Sequence, residues 1–252
     1  MSTPPSLTVV TYNIHKGLSS FNHRLVLHEI RERLRALEAD VMFLQEVQGM
    51  HTSNARRHKA WPEAGQHEFL TNEGGHSAYG MNAVYQEGHH GNAVVSRHRI
   101  PVWENIDVSH HALESRGILH CEVRVEGWSE PLHCINVHLG LWARSRRLQL
   151  EWLCERIRSA VPSHGPLIVA GDFNDWHRRA SGLLERELGL REVFEVTEGK
   201  PARSFPARMP MLALDRIYVR GLAVASVERH VGAPWSRLSD HVALTARLVV
   251  PA

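Results

Sequence analysis

The sequence predicts a mixed-sheet α/β protein, on three observations. Short apolar runs with the residue preferences of strands outnumber helical patterns, and several of them follow one another without a helix between. Two long segments, 22–37 and 144–160, have helical periodicity, and each is followed at once by a buried-strand run. Finally, the apolar runs repeatedly end in a polar or ionisable residue. A strict βα alternation would give a parallel sheet, and this pattern departs from it.

Taken in order, 7–12 reads as a strand and 1–6 as a flexible tail. The helix over 22–37 places Leu27, Ile30, Leu34 and Leu37 on one face, with Arg31, Glu32, Arg33 and Arg35 largely on the other. Residues 41–47 form a buried strand, and 49–80, rich in Pro, Gly and polar residues, reads as an irregular loop over a site. Strands follow at 82–85, 92–96, 118–125 and 132–137. The second helix, 144–160, has Leu148, Trp152 and Ile157 among its apolar positions and is ended by Pro162. A strand at 167–170, a short helix near 181–188, and strands at 214–219 and 242–249 complete the chain. No repeat, low-complexity stretch or linker divides the 252 residues, so a single domain over 1–252 is expected.

Composition narrows the function classes. Apolar content of 43% and charged content of 22% are those of a globular protein able to bury a core. A net charge of +2 announces no basic footprint for nucleic acid. Cys121, Cys134 and Cys154 have no C-x-x-C spacing, which argues against a zinc ribbon or disulfide framework and for thiols in a reducing compartment. With no charged leader, no secretion signal and no run of membrane-spanning length, a cytoplasmic location is expected. Histidines are numerous, at 19, but several, such as His58, His89 and His90, fall in polar, loop-like segments and read as ordinary.

The strand ends carry the chemistry. Leu167–Ala170 stops at Gly171-Asp172-Phe173-Asn174-Asp175, where a carboxylate and an amide two residues apart in extended chain point the same way. An Asx-rich turn is the plain alternative. Yet Val9–Tyr12 runs into Asn13, Val41–Gln45 into Glu46, and Cys134–Val137 into His138. Leu214 precedes Asp215, and Ser239-Asp240-His241 opens a further apolar run. Burying so many polar groups without partners would cost about 1–3 kcal/mol apiece. Clustering around a cation and a phosphate removes that cost.

In these segments the chain resembles the endonuclease/exonuclease/phosphatase family, the fold of pancreatic deoxyribonuclease and the abasic-site endonucleases. The matching pieces are Thr11-Tyr12-Asn13-Ile14, Leu44-Gln45-Glu46-Val47, Asn136-Val137-His138-Leu139, Gly171-Asp172-Phe173-Asn174, Leu214-Asp215-Arg216-Ile217 and Ser239-Asp240-His241, in the family's order. His-Lys-Gly after Ile14 and His90-Gly91-Asn92 point to a bacterial branch. The resemblance implies a four-layer α/β/β/α sandwich of two packed mixed sheets with outer helices. It also implies hydrolysis of a phosphate ester with Mg²⁺, for which Mn²⁺ can substitute. Glu46 would be the principal metal ligand, assisted by Asn13 and Asp240, a hard-oxygen set that suits Mg²⁺. Asp172 would orient or deprotonate the water, and Asn174 would hold the water or a non-bridging oxygen. His241, oriented by Asp215, would contact the phosphate. His138 would be a second phosphate contact or a proton donor to the leaving group.

Arg116 and Asn92 stand where phosphate and oxygen contacts are kept in the family, against the alternatives of a surface ion pair and a turn. The basic run Arg144-Ser145-Arg146-Arg147 reads as the solvated start of a helix in preference to a substrate contact. Trp142 and Trp176 could stack on a base or form a packed wall. The segment 200–214, with Met209 and Met211, could face substrate or fold onto the sheet edge. The expected partner is a phosphate-ester substrate, either nucleic acid or a phospholipid or small phosphorylated molecule, acted on by a monomer. A non-catalytic module is disfavoured because every catalytic position is filled.

Overall fold

Two parallel strand pairs organise the molecule. The computed structural model describes residues 6–20, 23–110 and 114–249. β1 (Ser6–Asn13) pairs in parallel with β2 (Val41–His51), and α1 (Leu27–Ala36) is the crossover between them. β7 (Leu132–His138) pairs in parallel with β8 (Leu167–Asp172) across α4 (Ala143–Ala160). Parallel neighbours require such crossovers, and both helices fall where periodicity predicts them.

Every other pairing is antiparallel. β3 (His76–Tyr85), β4 (Gly88–Ser96), β11 (Ala223–Arg229) and β12 (Leu244–Val249) complete one six-stranded sheet in the order β11-β12-β1-β2-β4-β3. β5 (Arg99–Asp107), β6 (Gly117–Arg124), β9 (Arg191–Glu192) and β10 (Asp215–Arg220) complete the other in the order β5-β6-β7-β8-β10-β9. The central strands are buried on both faces. Along β1 and β2, Val9, Val41 and Phe43 point between the sheets, while Val10, Met42 and Leu44 point outward beneath α1. Leu27, Ile30 and Leu34 of α1, with Leu70 of α3 (Gln66–Leu70), cover that outer face. Across the molecule, Leu150, Leu153 and Ile157 of α4 and Leu184 and Leu188 of α5 (Arg179–Leu188) cover the other sheet. The result is the four-layer sandwich.

Near the functional end the interface between the sheets turns polar. Gln45 Nε2 donates to Asn136 Oδ1 (2.8 Å), and Asn136 Nδ2 donates to Leu44 O (2.9 Å) and Ala93 O (2.8 Å). These bonds latch one sheet to the other directly beneath the strand ends.

Several expectations change. Of the predicted tail 1–6, residues 1–5 lie outside the described residues and Ser6 already pairs with Val249. Asn22, the first residue of the predicted first helix, also lies outside them, and α1 starts at Leu27. The segment 49–80 is not one irregular loop. It holds the end of β2, α2 (Thr52–Arg57), α3 and the start of β3. His89 and His90 lie on β4, against Tyr79 and Tyr85. β5, β9, β11 and α6 (Val193–Glu198) were not anticipated. On α4, Trp152 is exposed, whereas Ser145, Arg146 and Gln149 are buried. All three cysteines are buried free thiols. No helix among the described residues is long and apolar enough to cross a membrane.

Candidate active site

The carboxyl ends of the two parallel pairs lie at the same edge of the sandwich. Asn13 ends β1, Glu46 lies on β2, His138 ends β7 and Asp172 ends β8. Asp215 opens β10 directly opposite Asp172 in register, and His138 is opposite Asp172 on its other side. The sheet therefore places His138, Asp172 and Asp215 side by side.

Local strain fixes the first of these groups. Glu46 has φ +55°, at a bulge where the pairing of β2 with β4 shifts between Leu44 and Val47. Gly171, before Asp172, has φ +142°, and a Cβ there would lie 1.9 Å from Val137 O. Only glycine lets β8 lie that close to β7 and still aim Asp172 at the edge.

Asp172 is the hub. Its Oδ2 accepts from Asn13 Nδ2 (3.3 Å) and lies 3.5 Å from His138 Nε2 and 3.8 Å from His241 Nε2. Its Oδ1 accepts from the backbone N–H of Asn174 (3.0 Å), which stands at φ +48°. Burial raises the Asp172 carboxyl to about 6, with His241 opposing the shift and Asp215 adding to it. His241 Nδ1 donates to Asp215 Oδ2 at 2.8 Å. Burial works against charging this ring, but Asp215 and Asp172 outweigh it and push its pKa up to about 10. His241 is thus an imidazolium. His138 is the opposite case. Burial, then the charges of Arg116 and His241, hold it well below its usual value, so it is neutral.

On the other side of the edge, Asn13 Nδ2 also approaches Glu46 Oε1 (3.4 Å), while its Oδ1 accepts from the His15 N–H (3.1 Å). His15 Nδ1 stands 3.2 Å from Asp240 Oδ1 and 4.0 Å from Glu46 Oε2, and Lys16 Nζ is 3.6 Å from the same Glu46 oxygen. The hydrogen bond to Asp240 raises the His15 pKa against the effect of burial. Ser239 Oγ ties the segment down, donating to Asn13 O (2.7 Å) and accepting from His241 N (3.1 Å).

Of the ten residues singled out from the sequence, Asn13, Glu46, His138, Asp172, Asp215, Asp240 and His241 come together through these contacts. Asn174 joins them by its backbone. Its Nδ2 is committed to Leu139 O (3.0 Å), leaving Oδ1, an acceptor, to meet a ligand. Arg116 is neither a surface ion pair nor a free fork, since it donates to Leu139 O (3.2 Å) and Ser115 O (3.1 Å) and reaches Glu114 at 3.5 Å. Asn92 is not in a turn. It is fully buried on β4 and donates to Gly117 O of the opposite sheet (3.1 Å). Sequence reasoning missed four supports: His15, Lys16, Ser239 and the buried Arg216. Arg216 donates to Ala213 O (2.6 Å) and Asp175 O (3.3 Å) and props the loop after β8. Ser239 and Arg216 lay inside the matching motif segments, and His15 and Lys16 in the unusual His-Lys-Gly after Ile14, but none of the four was given a role.

A divalent cation fits the Glu46 side. Glu46 Oε2 is buried without a hydrogen bond, and with Asp240 it offers hard oxygen donors. Asp172, Asp215 and His241 also present atoms within 4.8 Å of one another. A charged His241, however, has no lone pair to give, so that trio suits an anion contact better than a metal.

A family model described as the Endonuclease/Exonuclease/phosphatase family matches residues 10–241. The chain belongs to that family. Members hydrolyse phosphate esters with divalent metal, and every cluster residue lies inside the matched span, His241 being its last residue. The chain is similar to a protein of Escherichia coli K12 named uncharacterized protein YbhP, 43% identical over 244 residues that cover 96% of each chain. In fold it is similar to an endonuclease/exonuclease/phosphatase from Beutenbergia cavernae (TM-score 0.76, 18% identity, 98% of this chain and 72% of that one). It is also similar to D. rerio TDP2 complexed with a single-strand DNA product (TM-score 0.69, 17% identity, 96% and 98%).

Proposed function

We propose that this family member is a phosphodiesterase that uses a divalent cation, Mg²⁺ in the first instance, held by Glu46 and Asp240. The observation that carries the reading is the convergence on Asp172 Oδ2 of a neutral histidine, a charged histidine and the Asn13 amide. A bound cation supplies Lewis-acid neutralisation of charge on the phosphate.

The residues divide the remaining work. Asp172 orients a water and takes its proton as the water oxygen bonds to phosphorus; the ester P–O bond breaks, and the leaving oxygen keeps the bonding electron pair and takes its proton from solvent. A carboxyl raised to about 6 is a better base than an ordinary one and is still ionised at neutral pH. The His241 imidazolium stabilises the charge that grows on the non-bridging oxygens, held in place by Asp215. The neutrality of His138 suits a hydrogen-bond contact to phosphate better than proton donation. Asn13 spans Glu46 and Asp172 as a donor, a positioning role in place of direct ligation. Asn174 Oδ1 is available to the water. Arg116, with its fork committed to the loop after β7, acts on the site through its charge and through that loop.

One observation favours a second reading, a sphingomyelinase-like phospholipid phosphodiesterase or small-molecule phosphatase on the same site. Met209 and Met211 are exposed on the loop whose Phe205 ring lies 5.0 Å from that of His241. A panel of single-stranded DNA, RNA, plasmid, sphingomyelin, lysophospholipid and a chromogenic phosphodiester, each with Mg²⁺ and with chelator, separates the two. Chelator-sensitive cleavage of nucleic acid supports the nuclease reading. Cleavage of the lipids alone supports the second, and no chelator-sensitive turnover of any substrate refutes both.

A further inference from the structure

Beside the His138 and Asp172 strand ends, α4 and α5 begin next to each other. Helix N-termini carry partial positive charge and free N–H groups, so carboxylates and small capping side chains are favoured there. Neither N-cap residue, Trp142 or Arg178, caps its helix with its side chain, and among the described residues only Asp175, from the loop before α5, reaches a first-turn N–H. Neither helix has an acidic residue in its first turn. Both begin instead with arginines: Arg144, Arg146 and Arg147 on α4, and Arg178 and Arg179 on α5. Cations at this end of a helix are unfavourable unless an anion joins them.

The space for that anion is a cavity of about 410 Å³ lined by Arg146, Arg147, Arg178, Arg179 and Arg186, with Asp175 the sole carboxylate. Asp175 is already engaged, since its Oδ2 accepts from the Ala180 N–H (2.7 Å) and its Oδ1 lies 4.0 Å from Arg146 Nε. Glu151, Glu195 and Glu187 pair with Arg147, Arg178 and Arg186. Arg179 has no ion pair among the described residues. Arg146 is only 4% exposed. Its Nη1 donates to Gly140 O (2.9 Å) and Leu141 O (2.8 Å), and its guanidinium lies 4.9 Å over the Trp176 ring. Its Nε stands 4.0 Å from Asp175 Oδ1, and neither Nε nor Nη2 makes a further hydrogen bond among the described residues, so both are available to a phosphate oxygen. At the start of α4 Arg144 and Arg147 are solvated as expected, but Arg146 is buried, and Arg146 and Arg147 form one wall of a basic cavity that a net charge of +2 conceals.

The cavity adjoins the site through chain connectivity. Asp175 follows Asn174, and Gly140 and Leu141 follow His138 and Leu139. Trp176, next in the chain after Asp175, lies under the Arg146 guanidinium with its ring partly open to solvent. We propose that this arginine cavity binds a second phosphate of the substrate, the neighbour of the scissile one on a single nucleic-acid strand, with Trp176 stacking on the intervening base. The assignment rests on the phosphodiesterase reading above and narrows it to substrates carrying more than one phosphate.

The test is fluorescence anisotropy of fluorescein-labelled hexathymidylate with EDTA present, on wild type and Arg147→Ala/Arg179→Ala, whose altered side chains are exposed. The double variant should bind roughly tenfold or more weakly. The slope of log K against log salt should fall by about 0.7 for the one phosphate released. Hydrolysis of bis(p-nitrophenyl) phosphate with Mg²⁺, which has no second phosphate, should stay at the wild-type rate. Unchanged oligonucleotide affinity and slope, or equal losses on both substrates, would overturn the proposal. So would competition by inorganic phosphate that alters Trp176 fluorescence without displacing the oligonucleotide, which would mark a free-anion site. Absence of bis(p-nitrophenyl) phosphate turnover, with arginine-dependent oligonucleotide binding intact, would refute the hydrolase reading and uphold the cavity.

Discussion

Replacing Asp215 with Asn removes one charge while keeping the shape and an acceptor oxygen for His241. His241 Nδ1 is 2.8 Å from Asp215 Oδ2, and Asp172 is the only other carboxylate that outranks Asp240 in charging the ring. The rise from 6.5 to about 10 corresponds to on the order of 5 kcal/mol of preference for the charged ring. A raised pKa contributes stability that is fully present below pH 6.5 and is lost as pH climbs through about 10. Asp215→Asn should lower the His241 midpoint by about 1–3 units. It should also cost on the order of 3 kcal/mol at pH 8. That difference narrows above pH 10, where the wild-type ring is neutral as well. The assay is an NMR titration of the His241 Cε1–H in metal-free protein, with urea unfolding at pH 8 and pH 10.5 beside it. A wild-type midpoint near 6.5, or the same midpoint in both proteins, would refute the charged-dyad argument.

Other expectations follow from single contacts. Glu192, buried at the start of α6, is raised by burial from 4.5 to about 7, so its contribution is full below pH 4.5 and lost as pH rises through 7. Glu192→Gln can still accept from the Glu195 N–H and should stabilise the protein by on the order of 2–3 kcal/mol at pH 8, with little effect at pH 4, in urea melts. Gly171→Ala puts a Cβ against Val137 O, and thermal unfolding should show either failure to fold or a loss of about 4 kcal/mol or more. Asn136→Ala breaks the latch between the sheets and should cost about 3 kcal/mol, measured by chemical denaturation. On the acid side, kcat should fall as Asp172 takes up a proton, with a limb at or below pH 6, because a bound cation adds positive charge and lowers that pKa further.

The chemistry was legible in the sequence where a polar group ended an apolar run. Asn13, His138, Asp172 and Asp215 stand at the ends of strands buried on both faces, and Glu46 follows the apolar first half of β2, a placement that hydropathy reveals without coordinates. What each group touches was not legible. The amide of Asn13 faces two carboxylates because β1 lies between β12 and β2 and opposite β8, which is a matter of sheet order. The outward turn of Glu46 comes from a bulge, and no propensity announces one. β5 and β11 escaped notice because they are edge strands, largely exposed, with no buried face to impose alternation. Arg146 misled by type. Its burial depends on the carbonyls of Gly140 and Leu141, in the loop that enters α4, and on Trp176, in the loop after β8, contacts that residue type alone does not announce.

The central claim is that Glu46 and Asp172 serve one metal-dependent phosphate site from opposite sides. Steady-state hydrolysis of a chromogenic phosphodiester, titrated with Mg²⁺ in wild type, Glu46→Gln and Asp172→Asn, tests it most directly. The account predicts no turnover in EDTA and a wild type restored by metal. Glu46→Gln should need at least about tenfold more metal, as expected for a lost ligand. Asp172→Asn should saturate at wild-type metal concentrations with kcat lower by about 10²–10⁴. Turnover that persists in EDTA, or an Asp172→Asn enzyme with wild-type kcat, would contradict it.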